Sequence, residues 1–202
     1  MGHLAEPTVI DAVFTYVNGS DPVWRASFEE YLASHPQARR GRPAGADVPY
    51  FNRYRDWNEL RYAMRSLHMH APWIRRVYVV LSGPSQIPHW LDAAHARVRI
   101  VYHRDIFPRP ELELPTFNSL AIESVLHRID GLSNHFLYMN NDVFFGRRAS
   151  VADFVDARAY RRFIDWTLDS SKHDPCFAVP AQHGKPACAR IQVGDSDCRT
   201  SR

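Results

Sequence analysis

Residues 136–146 have the sequence Phe136-Leu137-Tyr138-Met139-Asn140-Asn141-Asp142-Val143-Phe144-Phe145-Gly146, in which an apolar run is followed by two amides and a carboxylate. Such a run predicts a buried strand that presents polar groups at its carboxyl end, where α/β sheets bind ligands. The oxygens of Asn140, Asn141 and Asp142 are suited to Mg²⁺ or Mn²⁺ and to a phosphate-bearing ligand. The alternative is an ordinary turn, because Asn and Asp favour turns in any context.

The composition is that of one globular domain. The chain has 202 residues, 45% of them hydrophobic and 23% charged, with a net charge of +3. The small net charge argues against a nucleic-acid partner, as does the dispersal of the arginines along the chain. Anionic small molecules remain candidate ligands. The amino terminus has no apolar signal core and no segment is long enough to span a membrane, which predicts a cytoplasmic protein. The three cysteines fit no zinc or redox spacing.

Three other segments are predicted strands, at residues 9–17, 76–81 and 98–102. Each is rich in β-branched or aromatic residues and ends at turn residues. A short helix is predicted between the last two strands, at residues 87–91. Strands and helices alternating at this spacing predict an α/β fold with a mainly parallel sheet and flanking helices.

The first predicted strand ends at Asn18-Gly19-Ser20-Asp21. This polar loop can offer backbone N–H groups, a hydroxyl and a carboxylate to a nucleotide at the carboxyl end of the strand. Taken alone, the motif is only a turn signal.

Residues 55–71 are predicted to form a helix with one apolar face. Asp56 and Glu59, three residues apart, resemble a capping box. The apolar face comprises Trp57, Leu60, Met64, Leu67 and Ala71. Arg61 and Arg65 lie together on a neighbouring face, and because like charges at i, i+4 repel, they suggest an anionic ligand. The alternative is that they are solvated or paired with carboxylates.

Two further helices are predicted, a short one after residue 23 and another at residues 116–129. The first is followed by a loop rich in proline and glycine at residues 35–49, which is expected to be mobile. In the second, Ser119, Glu123 and His127 recur every four residues on the one polar stripe of an otherwise apolar helix. These three side chains are therefore expected to face a site or solvent.

Several of these segments together resemble the Stealth family of sugar-phosphate transferases. Residues 9–22 are similar to its first conserved region and residues 50–148 to its second. The second region includes the motifs Arg55-Asp56-Trp57-Asn58-Glu59-Leu60-Arg61, His70-Ala71-Pro72-Trp73-Ile74 and Leu114-Pro115-Thr116-Phe117-Asn118-Ser119. Several long motifs in the same order are more specific than any one of them. The resemblance implies a fold related to A-type glycosyltransferases and transfer of a sugar 1-phosphate from a nucleotide sugar to a hydroxyl, in capsular or surface polysaccharide synthesis.

The resemblance also implies roles for individual residues. Substrate-binding residues would be Asn18, Gly19, Ser20, Asp21, Arg61, Arg65 and Asn118, with the two arginines on the diphosphate. The metal, Mg²⁺ or Mn²⁺, would be held by Asn140, Asn141 and Asp142. Family members generally have two consecutive aspartates where this chain has Asn141-Asp142, so one negative charge is missing. Candidate catalytic groups are Asp56, Glu123 and His127, although the family would place its base downstream.

Residues 1–165 are thus predicted to form a Stealth-like domain that is incomplete, since nothing after residue 150 resembles the family's two further conserved regions. Residues 166–202 show neither helical nor strand periodicity and predict an irregular tail, disordered or non-native, from a truncated or frame-shifted reading frame. The alternative is a short divergent member with closing elements of its own.

The expected partners are a nucleotide-sugar donor and a polysaccharide or glycan acceptor, with peripheral association at the inner face of the membrane. The sequence indicates no oligomeric state. Two other functions remain open. One is ordinary glycosyl transfer from the same donor, which would release a nucleoside diphosphate instead of a nucleoside monophosphate. The other is an inactive module that binds the donor without turnover.

Overall fold

The computed structural model describes residues 9–36 and 54–154, together with the backbone of residues 190–193. Five strands form one sheet: β1 Ile10–Thr15, β2 Val77–Leu81, β3 Val98–Tyr102, β4 His135–Asn140 and β5 Arg190–Val193. Their order is β3-β2-β1-β4-β5. The first four strands are parallel, and β5 is antiparallel to β4. The predicted α/β fold with a mainly parallel sheet is confirmed.

Both faces of the sheet are buried, which explains why its strands are almost continuously apolar. Within residues 9–36 and 54–154, five helices accompany it: α1 Pro22–Ser34, α2 Glu59–His70, α3 His103–Ile106, α4 Pro110–Glu113 and α5 Ser119–Ser124. Helix α2 buries Leu60 and Leu67 against Phe14 and its neighbours on one face of the sheet. On the other face, Val13 and Tyr78 pack in a second cluster that includes residues of α5 and of the turn after it.

Helix α1 packs outside these two clusters, near the carboxyl ends of the strands. Its buried residues Trp24, Phe28 and Leu32 form a third cluster with Tyr54 and Phe117. The ring centroids of Trp24 and Tyr54 are 4.8 Å apart, and those of Phe28 and Phe117 are also 4.8 Å apart. Aromatic contacts of this kind stabilise the packing beyond the area that they bury. They hold α1 against the loop that precedes α5.

Asp11 joins the amino ends of three strands. Its carboxylate is fully buried and accepts hydrogen bonds from the Arg75 side chain at 2.9 and 2.6 Å and from the backbone N–H of Ser133 at 2.8 Å. Burial raises the pKa of Asp11, but these hydrogen bonds outweigh burial and hold the pKa below its ordinary value. A buried carboxylate is tolerated here because its oxygens are paired.

The predicted start of the helix at residues 55–71 is wrong by four residues. Helix α2 begins at Glu59, and Asn58 before it has a left-handed conformation with φ 65°. Asp56 accepts a hydrogen bond from the N–H of Asn58, and Glu59 accepts one from the N–H of Trp57. The two carboxylates therefore brace a turn before the helix and do not form a capping box. Trp57 lies outside the helix and is 64% exposed.

Two other helix predictions also need correction. Residues 87–91 form turns after a short 3₁₀ segment at Pro84–Gln86, and Ile87, Trp90 and Leu91 pack on the core without a helix. The helix predicted at residues 116–129 is divided into α5 and a 3₁₀ turn at Leu126–Arg128. The break is at Val125, whose ψ of 1° is not helical. Periodicity located the apolar side chains but not the hydrogen-bonding pattern of the backbone.

Strand β5 lies within the segment that was expected to be irregular. Only residues 190–193 of the predicted tail are described, and Tyr138 and His135 pair with the two ends of this strand. The prediction differs from the structure at these four residues because an alternation as short as Arg190-Ile191-Gln192-Val193 gives too weak a signal. The rest of the predicted tail, and most of the loop predicted at residues 35–49, lie outside the described residues.

Candidate functional site

A cavity of ≈ 160 Å³ lies at the carboxyl ends of the parallel strands. Strand β1 has β2 on one side and β4 on the other, so the direction of strand succession reverses between β1 and β4. Ligands of open α/β sheets bind at such a reversal point. The residues that line the cavity from the strand ends are Thr15, Tyr16 and Val17 of the first strand, Ser82, His103, Asn140 and Asn141.

Tyr138 organises the polar groups on one wall of this cavity. Its hydroxyl lies 3.0 Å from that of Thr15 and donates a hydrogen bond of 3.1 Å to Oδ1 of Asn140. Burial raises the pKa of Tyr138, the Thr15 hydrogen bond works against this, and the carboxylates of Glu123 and Asp142 raise the pKa further. Tyr138 is therefore a neutral donor that orients the Asn140 amide.

The raised pKa of Tyr138 also shows which acidic side chains lie near its hydroxyl. Glu123 is on α5 and Asp142 follows β4, yet both carboxylates act on the same hydroxyl. The structure thus gathers the predicted catalytic residue Glu123, the predicted metal ligand Asp142, and Asn140 at one end of the sheet. These residues are far apart in the sequence, and the fold alone brings them together.

These residues carry oxygens of the kind that Mg²⁺ prefers. Within residues 9–36 and 54–154, no three His, Cys, Asp or Glu side chains form a group that could hold a metal ion by themselves. Mg²⁺, however, is usually held by one or two carboxylates and takes its remaining ligands from substrate phosphates and water. Glu123 and Asp142, with the amide oxygen of Asn141, can provide such a partial set.

The loop after β1 is held by Gln86 and Asp21. The Gln86 side chain accepts a hydrogen bond of 2.7 Å from the N–H of Asn18 and donates one of 2.6 Å to Asp21. Asp21 also accepts from Ser85 and from the N–H of Val23, and so caps α1. Burial raises the pKa of Asp21, but the hydrogen bonds outweigh burial and lower it. The described contacts of this carboxylate thus shape the loop.

Gly19 is required by a close approach of two backbone segments. Its N–H donates a hydrogen bond of 2.7 Å to the carbonyl of Tyr54. A Cβ atom at this position would lie 2.7 Å from that carbonyl oxygen and 2.8 Å from the Cβ of Tyr54. Real Cβ atoms are not found this close to a backbone atom, so only glycine fits. Ser20 beside it is exposed, and its N–H donates to the side chain of Asn18.

Arg61 and Arg65 lie on the exposed side of α2 and line a different groove. The other residues of this groove are Met64, His68, Met69 and Trp90. None of them lines the cavity at the strand ends, and the guanidinium of Arg65 lies over the ring of Tyr62 at 5.9 Å. The structure therefore does not bring the two arginines together with Asn140 and Asn141.

The remaining predicted residues have distinct surroundings. Asp56 accepts a hydrogen bond of 2.7 Å from the hydroxyl of Tyr16, whose pKa is raised by burial and by this carboxylate. Since Tyr16 lines the cavity, Asp56 contacts the site through it. Asn118 caps α5 by accepting a hydrogen bond from the N–H of Leu120. His127 is exposed on the 3₁₀ turn and does not line the cavity.

Comparison with known protein families decides the family. Residues 8–36 match the model of Stealth protein CR1, conserved region 1, and residues 53–163 match that of Stealth protein CR2, conserved region 2. The chain belongs to the Stealth family. Both matches begin within three residues of the regions recognised in the sequence, at 9 and 50, but extend further, to residue 36 instead of 22 and to residue 163 instead of 148.

Similar proteins with curated names are exopolysaccharide phosphotransferases of actinobacteria. The Stealth chain is 48% identical to one from Streptomyces coelicolor over 72% of its own length and 22% of the relative. It is 44% identical to CpsY of Mycobacterium tuberculosis over 77% of its length and 27% of the relative. With one from Nocardia farcinica, the identity is also 44%, over 77% of the chain and 29% of the relative. The chain spans less than a third of each of these proteins.

Among the described helices of the Stealth chain, none has the length and apolar character needed to cross a membrane.

One cavity residue was missed by the sequence analysis. His103, the first residue after β3, is 7% exposed, and burial lowers its pKa to about 4. It lines the strand-end cavity and also a neighbouring cavity of ≈ 780 Å³. Its position directly after a strand of the parallel sheet was a usable signal, because such residues lie at the ligand-binding edge. A single histidine beside an apolar strand, however, also resembles an ordinary core residue.

Proposed function

We propose that this Stealth chain binds a nucleotide sugar together with Mg²⁺ at the carboxyl ends of β1 and β4. As part of a transferase, it would help to move a sugar 1-phosphate to a hydroxyl of a surface polysaccharide. The observation that carries the proposal is the convergence of Glu123, Asp142 and Asn140 around the Tyr138 hydroxyl, at the reversal point of the sheet. The names of the similar exopolysaccharide phosphotransferases support the same class of reaction.

The reaction breaks the phosphoanhydride bond of the donor and forms a phosphate ester with the acceptor. An acceptor oxygen forms a bond to the phosphorus that carries the sugar, the bond from that phosphorus to the nucleoside monophosphate breaks, and the acceptor gives up its proton to a base. Mg²⁺, when bound, would neutralise the charge of the diphosphate. Positioning and electrostatic stabilisation supply most of the catalysis in phosphoryl transfer, so a rigid oxygen-lined cavity is the main requirement.

Glu123 and Asp142 are assigned here as the two carboxylates that hold the ion, with Asn141 contributing an amide oxygen. Tyr138 keeps the neighbouring Asn140 amide oriented for the donor. Of the three predicted catalytic residues, Glu123 alone acts on this hydroxyl, since Asp56 accepts a hydrogen bond from Tyr16 and His127 is exposed and does not line the cavity. A base role for Glu123 is the competing assignment, whereas the family resemblance would place the base outside the two matched regions.

Chemical identification of the released nucleotide tests the proposal. The 202-residue chain would be incubated with a panel of nucleotide sugars, Mg²⁺ and a polysaccharide acceptor, and binding of each donor would be measured by calorimetry in parallel. Saturable Mg²⁺-dependent binding with release of a nucleoside monophosphate supports phosphotransfer. Release of a nucleoside diphosphate would show ordinary glycosyl transfer. Binding without turnover would identify a donor-binding module, and the absence of binding would refute the proposal.

A further inference from the structure

The strand-end cavity and its larger neighbour meet at one group of residues. Both are lined by Trp24, Ser82, His103, Thr116 and Phe117. The smaller cavity contains Asn140 and Asn141, whereas the larger one, of ≈ 780 Å³, extends along α1 and α4. A volume in this range is typical of sites for small ligands. A ligand with two chemically different halves could therefore occupy both cavities and pass the shared residues.

His103 is the buried polar group at this junction. Its side chain is only 7% exposed, and within the described part of the chain no group forms a hydrogen bond with its ring. No fully buried side-chain nitrogen or oxygen among the described residues lacks a partner, so the ring nitrogens reach the cavity space. A ring nitrogen that is accessible from the cavity can form a hydrogen bond with a ligand bound there.

The charge state of His103 limits what that ligand group can be. Burial keeps the imidazole neutral, with its pKa lowered to about 4. A neutral imidazole offers one N–H donor and one nitrogen acceptor, which matches an uncharged group that itself has a donor and an acceptor. The edge of a nucleobase is such a group. A phosphate, by contrast, would be better matched by a cationic side chain.

The walls beside His103 are suited to a planar base. Trp24 and Phe117 line both cavities, and their rings meet edge to face with centroids 5.4 Å apart. Aromatic faces stack on bases of any identity, so they contribute affinity with little selectivity. Selectivity must then come from hydrogen bonds, and Ser82 and Thr116, which carry hydroxyl groups, line both cavities together with His103.

We infer that the larger cavity is the nucleoside pocket of the donor and that His103 reads the hydrogen-bonding edge of the nucleobase. The phosphates would then point through the junction toward Asn140 and Asn141. This inference rests on the proposed function, because it assigns a part of the same donor to a part of the same site. It makes His103 a specificity-determining residue and not a proton carrier.

Binding of matched ligands to His103 variants tests the inference. His103→Phe keeps a flat ring but removes both hydrogen-bonding nitrogens, and His103→Gln keeps one donor and one acceptor. UDP, CDP and ribose 5-phosphate would be titrated into the full chain, because the first two share a diphosphate and differ in the base edge. We expect His103→Phe to weaken binding of the preferred nucleotide by about tenfold, the equivalent of one buried hydrogen bond. The UDP-to-CDP preference should also be lost.

Three controls make the outcome specific. Binding of ribose 5-phosphate should not change, and His103→Gln should retain most of the base preference. The exposed His89 provides a matched variant, His89→Phe, with no expected effect. An unchanged base preference in His103→Phe, with wild-type binding intact, would overturn the inference alone. Equal losses for UDP and ribose 5-phosphate would overturn it by placing His103 on the sugar or phosphate. A wild-type chain that binds no nucleotide would overturn the proposed function as well.

Discussion

The hydroxyl groups of Thr15 and Tyr138 lie 3.0 Å apart across the pairing of β1 with β4. The same Tyr138 hydroxyl donates to Asn140, so the first strand of the chain helps to orient an amide at the end of the fourth. Since the pKa of Tyr138 is raised by burial and by two carboxylates, the hydroxyl remains a donor at any ordinary pH. The hydrogen bonds are therefore constant features of the site.

Replacing Tyr138 by phenylalanine should damage the site more than the fold. Tyr138→Phe removes the hydroxyl and leaves the ring in the core, so the free energy of unfolding should fall by only about 1 kcal/mol. Binding of a nucleotide sugar should weaken because Asn140 loses its orientation. Denaturant unfolding and calorimetric titration measure the two effects. Thr15→Val is the matched control, because it keeps the hydrogen bond from Tyr138 to Asn140. If both variants weaken nucleotide-sugar binding equally, the loss of binding is not caused by a change in the orientation of Asn140.

Substitutions of Asp142 and Asn141 should change how strongly nucleotide-sugar binding depends on Mg²⁺. Asp142→Ala should remove the tightening of nucleotide-sugar binding by Mg²⁺, with a loss of at least roughly tenfold, the loss found even for partners one shell away from a metal. Asn141→Asp adds a carboxylate and should strengthen metal affinity. Titrations in Mg²⁺ and in a chelator provide the measurement. A folded Asp142→Ala protein with unaltered metal dependence would show that Asp142 is only a turn residue.

Glu123→Gln separates the two roles considered for that side chain. If Glu123 holds the ion, the variant should require more Mg²⁺ for the same donor affinity, because an amide contributes no charge to the site. If Glu123 is instead the base, donor binding and its Mg²⁺ dependence should be normal and only turnover should fall. The measurement is the Mg²⁺ concentration at half-maximal donor binding, with Glu29→Gln, an exposed residue that lines neither cavity, as a charge-matched comparison.

The arginines of α2 should contribute little to donor affinity. Arg61→Ala and Arg65→Ala alter a groove that shares no lining residue with the strand-end cavity, so each should leave nucleotide-sugar binding within roughly twofold of wild type, as exposed charges usually do. Titration at low and high salt checks this. A tenfold loss that disappears when the ligand lacks phosphates would show that the diphosphate reaches α2, as the resemblance implied.

Acid should weaken the fold in part through Asp11. The folded-state pKa of Asp11 lies below its ordinary value of 3.8, so the stabilisation that Asp11 provides is present above pH 3.8 and is lost as the pH falls through the folded-state pKa. Asp11→Asn should cost roughly 3 kcal/mol at neutral pH, because the Arg75 side chain loses its buried partner. Its unfolding free energy should also depend less on pH below about 4. A parallel pH dependence in both proteins would assign the acid sensitivity to other groups.

The strands of the sheet were well predicted because each of them is marked by a short segment of consecutive residues. Apolar runs that end in polar residues located β1, β2, β3 and β4, and the alternation of elements indicated a parallel sheet. The same rule placed Asn140 and Asn141 at the carboxyl edge, where the structure also has them. Helix limits were less well predicted, since the left-handed Asn58 and the break at Val125 depend on individual hydrogen bonds.

The site could be predicted only in part, because no short segment of the sequence shows which distant residues come into contact in the folded protein. A helical repeat showed that Arg61 and Arg65 share a face, but not that this face turns away from the strand ends. The approach of Glu123 to Tyr138 depends on how α5 packs, which periodicity does not specify. His103 was overlooked because its significance comes from two cavities that meet beside it.

The central position of β1 has a consequence during synthesis. This strand leaves the ribosome well before its neighbours β2 and β4, and Asp11 is joined to Ser133 across 122 residues. Until those partners emerge, both edges of an apolar strand have no sheet to join, and unpaired edges of this kind promote aggregation. The nascent chain should therefore depend on chaperones until residue 140 has been translated, and ribosome-stalled chains that end before β4 should stay protease-sensitive while those that extend past it become resistant.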